Sequence, residues 1–150
     1  MKEKNKNLSL VINMKINIKD YLTDNKEGSK VIDWSKFSSA YSLRGLEAGL
    51  EILDWWNSDI EELADWVHVY WIQGLKALWK ALDNGYSVKG GYSEEKRRSH
   101  EAMMIDYKDL SREDQLKDIY TIKDLLRPMY WALLDGYEYE ADFEEYNIGW

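Results

Sequence analysis

Apolar residues occupy every second position from Leu8 through Leu10, Ile12, Met14, Ile16 and Ile18. A period of two predicts a long strand over residues 8–18 with one buried face. One strand cannot satisfy its own backbone. Its partner is either a weaker stretch such as residues 28–33 or the same strand of a second copy, which predicts a homodimer. From residue 37 to 56 the period becomes helical, with Leu43, Leu46, Leu50 and Leu53 at 3-4-3 spacing. Asn57 and Ser58 interrupt it, and Ser58-Asp59-Ile60-Glu61 forms a capping box. The helix that follows runs to about residue 82, its stripe made by Ile60, Leu63, Val67, Trp71, Leu75, Leu78 and Leu82. Asp83-Asn84-Gly85 stops it.

A loop with Gly85, Gly90, Gly91, Tyr86 and Tyr92 comes next, and Ser93 before Glu94 and Glu95 starts another helix. Ser111 with Asp114 starts one more, carrying Leu116, Ile119, Ile122 and Leu126. Pro128 is expected to open a short last helix ending at Asp135-Gly136. Residues 138–150 form an acidic, aromatic tail. The fold class is therefore mainly α, with one long strand and an additional helix ahead of the helical module. The division is 1–59 as an oligomerising extension, 60–137 as the module and 138–150 as the tail.

Composition narrows the chemistry. The 150 residues include no Cys and two His, so disulfides, thiolate metal sites and His-rich metal centres are excluded. No metal and no cofactor is expected. A net charge of −8 argues against polymeric nucleic acid and anionic membranes as partners. No stretch is apolar for long enough to span a bilayer, and no secretory leader is visible, so a cytoplasmic protein is expected. Against that acidity, Lys89, Lys96, Arg97, Arg98 and His100 lie within twelve positions, a candidate site for a small anion.

Catalytic constellations fail one by one. His100-Glu101 is not HExxH, because position 104 is Met. The glycines lack the spacing of a phosphate-cradling loop, and no G-x-S-x-G elbow exists. Asp106, Asp109, Asp114 and Asp118 lack a calcium loop and suit helix capping better. A non-enzymatic role is expected.

Several short signatures occur in a definite order. His68 precedes Trp71 by three; Gly85-Tyr86 ends that helix; Lys96-Arg97-Arg98-Ser99-His100 follows; then come Tyr107 and Leu110, Lys117-Asp118, Leu125-Leu126 and Gly136-Tyr137. In this order the segment from about 60 to 137 resembles the RyR-repeat domain, a helical module of ryanodine receptors and of bacterial and phage proteins. It departs in having Glu101 where the family usually has Pro, and Tyr86 where it usually has Trp.

The resemblance implies binding of a nucleotide-derived ligand, by sensing or by sequestration. A phage protein that counters nucleotide-signalled immunity, working in the host cytoplasm, would fit it. Aromatic rings supply stacking faces and arginines supply bidentate phosphate contacts. The expected ligand residues are Trp71, Trp79, Tyr86, Tyr92, Arg97, Arg98, His100, His68 and Tyr107. Residues 85–100 would form one wall of the pocket, with Trp71 or Trp79 opposite. The competing expectation is an oligomeric interaction protein built on the strand, on Trp55-Trp56 and on the tail, with no small-molecule ligand.

Overall fold

The computed structural model describes residues 16–23, 30–52, 59–128 and 130. The architecture is mainly helical: β1 (Val31–Ile32), α1 (Trp34–Ile52), α2 (Ile60–Asp83), β2 (Ser87–Val88), α3 (Glu94–Ala102) and α4 (Arg112–Thr121). Short 3-10 turns cover Ile18–Tyr21 and Tyr107–Asp109. No helix among the described residues is long and apolar enough to cross a membrane.

The helix starts follow from local chemistry. Asp59 caps α2 by accepting from the Glu61 N–H, Ser93 caps α3 by accepting from Lys96, and Ser111 caps α4 by accepting from Asp114. Each short side chain satisfies a backbone donor that the first helical turn leaves open.

α1 and α2 pack as an antiparallel pair. Gly45 lies against Val67 and the Trp66 carbonyl, and Gly74 against Tyr41, so advance along one helix matches retreat along the other. A Cβ added at Gly45 would sit 2.8 Å from the Trp66 carbonyl oxygen, so the two backbones meet without an intervening side chain. Two apolar clusters flank this seam. The first joins Leu43, Leu46 and Leu50 to Leu63, Val67, Ile119, Ile122, Leu125, Leu126 and Tyr130. The second joins Ile32, Trp34 and Phe37 to Trp71, Leu75, Leu78 and Val88. Each draws on both sides of the boundary expected at residues 59 and 60, so α1 packs directly against α2. Glu47, buried on α1, accepts from the Tyr130 hydroxyl at 2.9 Å and ties the last described residue to the seam.

Two expectations change. Ile18 belongs to a 3-10 turn, so the alternating pattern does not give a strand as far as residue 18; residues 8–15 lie outside the described residues. Within 28–33, β1 pairs in parallel with β2, and Leu22 bridges Ile32 in the antiparallel sense. Pro128 does not open a new helix. Residues 127, 128 and 130 are helical, and the helix loosens into a π turn over Ile122–Leu126, where the Arg127 N–H reaches back to the Ile122 carbonyl. Proline has no N–H and crowds the carbonyl four residues back; the wider turn absorbs both. The helix end expected at Asp135-Gly136 and the tail lie outside the described residues.

Candidate functional site

A cleft of about 590 Å³ opens where the N-terminal turn meets the ends of α1 and α2. Its position follows from backbone pairing. Asp33 N–H donates to the Tyr21 carbonyl and Thr23 N–H to Val31, which fixes residues 16–23 beside β1. Ser87 N–H donates to Lys30 and Lys89 N–H to Ile32, which fixes Tyr86 on the other side of β1. Ile16, Asn17 and Ile18 make one wall, Phe37, Tyr41 and Arg44 of α1 a second, and Ala77, Lys80, Ala81 and Asn84 of α2 the floor; Tyr86 closes one end. The size suits a small molecule.

The cleft exists because α2 presents alanines there. Ala77 and Ala81 share one helix face with Lys80 and Asn84, whereas Leu75 and Leu78 turn into the core. The aromatic wall is a chain of edge contacts, Tyr21 to Phe37 and Phe37 to Tyr41, each with centroids 5.4 Å apart. Burial raises the Tyr41 phenol above its ordinary pKa, with the Arg44 charge pulling the other way. Tyr21 is raised by burial and then by Asp20, again opposed by Arg44. Both phenols remain protonated donors near neutral pH.

The electrostatics of the lining set it apart from the rest of the surface. The chain holds 28 acids against 20 Lys and Arg, yet among the described residues the lining contains Arg44 and Lys80 and no carboxylate. The Arg44 Nε is buried and has no hydrogen-bond partner among the described residues. A buried N–H left without an acceptor costs stability unless an external group supplies one.

The residues named from sequence fall into three groups. Tyr86 lines the cleft. Trp79, Tyr92, Arg97 and His100 form a separate cluster whose polar groups bond one another. The Trp79 indole donates to the Tyr92 hydroxyl at 2.9 Å, and Tyr92 lies 3.0 Å from the His100 Nδ1. Indole nitrogen is only a donor, so the Tyr92 oxygen accepts from it while sharing a second hydrogen bond with His100. Arg97 covers the Trp79 ring at 4.6 Å from its centroid. Trp79 lies about 150° round α2 from the centre of the cleft face, at about 100° per residue. Arg98, one residue on from Arg97, is exposed on α3, and no partner is recorded for it among the described residues.

The third group is core. Trp71, expected on a pocket wall, is 0% exposed; it stacks on His68 with centroids 5.6 Å apart and meets His100 edge-on. His68, His100 and Tyr107, also expected to touch a ligand, are buried with it. The His68 Nε2 bonds the Ile105 carbonyl at 2.8 Å, so that nitrogen carries a proton. Burial holds its pKa below the ordinary value, against smaller opposing effects of the Ile105 and Met103 carbonyls, so the ring is neutral near pH 7. The Asp118 carboxylate, 3.8 Å from Nδ1, is beyond hydrogen-bond distance. Tyr107 donates to Glu61, which also accepts from Arg112; burial and that carboxylate push the Tyr107 phenol up.

Phe37, Tyr41, Arg44 and Lys80 escaped the sequence reading. A signal was present: Arg44 is the sole Lys or Arg between Lys36 and Lys76, and it follows Tyr41 by three residues. No group of three or more potential metal ligands occurs among the described residues. No protein-family model, curated protein or solved structure matches the chain.

Proposed function

We propose that this chain binds a small nucleotide-like anion without transforming it, in the cleft between the N-terminal turn, α1 and α2. The observation that carries the reading is Arg44, whose buried Nε has no acceptor among the described residues, in a lining whose described residues include no acid. Phe37, Tyr41 and Tyr86 supply the apolar and stacking surface that a base requires. Base stacking contributes roughly 1–3 kcal/mol and a charge-assisted hydrogen bond roughly 1.5–3 kcal/mol. Together they support micromolar affinity, about −8 kcal/mol. Among the described residues the lining holds neither imidazole nor carboxylate to move a proton, which favours holding over chemistry. The biological role proposed is sensing or sequestering a nucleotide-derived signal.

Thermal-shift measurement against mono-, di- and cyclic nucleotides tests the proposal. At a hundredfold excess over Kd, a ligand should stabilise the wild type by about 2.7 kcal/mol. Arg44→Ala should remove that gain, and Arg98→Ala should leave it intact. A wild type that no nucleotide shifts ends the reading.

A further inference from the structure

We infer that the ligand carries one phosphomonoester, a dianion, beside a ring with both a hydrogen-bond donor and an acceptor on its edge; this rests on the cleft being the nucleotide site proposed above. Tyr41 and Arg44 are three residues apart on α1 and so are neighbours on one face. Long helical side chains lean toward the helix N-terminus, which carries the guanidinium from residue 44 back over Tyr41. Lys80 faces them from α2. Two cations match the charge of a phosphomonoester, about −1.5 to −2 near pH 7. The planar fork of arginine takes two oxygens of a terminal phosphate, and lysine adds a point charge.

A phosphodiester carries about half that charge and leaves one cation unmatched. A triphosphate brings more charge than the two cations balance, in a chain of net charge −8. Lys30 lies over the Tyr86 ring that closes one end of the cleft, its ammonium 5.7 Å from the ring centroid.

The two carboxamides of the lining define the ring. Asn17 Oδ1 accepts from the Lys19 N–H at 3.1 Å, which leaves both N–H groups of its NH2 to donate. Asn84 Nδ2 donates one N–H to the Lys80 carbonyl at 2.9 Å, which leaves its Oδ1 to accept and a second N–H to donate. Donors and an acceptor together suit the edge of a nucleobase, which presents both kinds of group. A bare aryl ring would leave both unpaired.

Calorimetric titration of the full chain tests this with nucleoside 5′-monophosphates, the parent nucleosides, 3′,5′-cyclic monophosphates, 5′-triphosphates and inorganic phosphate. A 5′-monophosphate should bind at least about tenfold tighter than its cyclic diester, its triphosphate, its nucleoside or inorganic phosphate, the scale of one lost charge-assisted contact. Its affinity should rise several-fold between about pH 5 and about pH 7.5, because the second ionisation of a phosphomonoester lies near pKa 6.

The charged and titratable groups facing it are Arg44, Lys80, Tyr41 and Tyr86, with Asp20 beside Tyr21 behind the aromatic wall. No histidine lines the cleft, so that rise belongs to the ligand. Ala77→Leu, which raises the floor, and Lys80→Ala, an exposed change that leaves folding intact, should each weaken binding about tenfold. A cyclic diester, a triphosphate or inorganic phosphate that binds as tightly as the monophosphate, or a flat pH profile, overturns the inference while the nucleotide reading stands. Absence of binding by every nucleotide overturns both.

Discussion

The aromatic cluster around Trp79 of α2 and the one around Tyr41 of α1 differ in what their polar groups do. Around Trp79 these groups engage one another: indole to phenol, phenol with imidazole, guanidinium over the indole face. Around Tyr41, an arginine lies beside rings of the same kind and its Nε meets no acceptor among the described residues. Composition does not separate them, since both combine tyrosines with bases. Satisfaction separates them. A network that closes on itself rigidifies a fold, and one left open at a charged group has room for something else.

The largest effect that tests this contrast is at Trp71. Trp71→Ala should cost about 3–5 kcal/mol of stability by urea unfolding, the range for a fully buried large aromatic. Ligand-induced stabilisation should persist wherever the variant still folds. A variant of native stability would mean that Trp71 is not core. Tyr92→Phe comes next: it removes one hydroxyl but strands two partners, Trp79 and His100, and should cost about 1–3 kcal/mol without changing affinity. If it abolishes binding and spares stability, the two clusters have been assigned the wrong way round.

Acid probes the same side of the molecule through His68. Its folded-state pKa is depressed, so between that value and the ordinary value of about 6.5 the unfolded chain binds more protons than the folded one. Stability is therefore fully present above about pH 6.5 and declines as pH falls through that window. His68→Gln should flatten the decline in chemical unfolding followed across that range; an unchanged slope would assign it to other groups. The smallest effects belong to the arginines of α3. Arg97→Ala should lose about 0.5–1 kcal/mol of cation–π contact with Trp79. Arg98→Ala should change stability by less than about 0.5 kcal/mol. Loss of ligand binding in either variant would move the site back to α3.

The helical scaffold was legible because its signals are local. Capping side chains at Ser93 and Ser111 and the 3.6-residue stripe of α2 need no knowledge of what lies opposite, though the cap of α2 falls on Asp59, one residue after the Ser58 of the expected capping box. The site was not legible for the opposite reason. The basic run Lys96-Arg97-Arg98 is conspicuous along the chain, but folding places Arg97 on Trp79 and leaves Arg98 on the outside. Arg44 and Lys80 are 36 positions apart and inconspicuous, and only the pairing of α1 with α2 brings them to one cleft. Pro128 failed as a boundary because a π turn can absorb its missing donor, which no residue pattern announces.

Gly45 sets the spacing of that cleft by contact with the backbone of Trp66 and Val67, and Gly74 by seating the Tyr41 ring. Helices held apart by flexible side chains can slide and repack; helices in direct main-chain contact have no such freedom. Tyr41 and Arg44 on one wall therefore stand at a set distance from Ala77 and Lys80 on the other before any ligand arrives. A solute entering between them loses its own motion but orders little of the protein, so association should be a single kinetic step without a slow rearrangement phase. The two absent methyl groups thereby govern how fast the cleft fills as well as whether the helices fit.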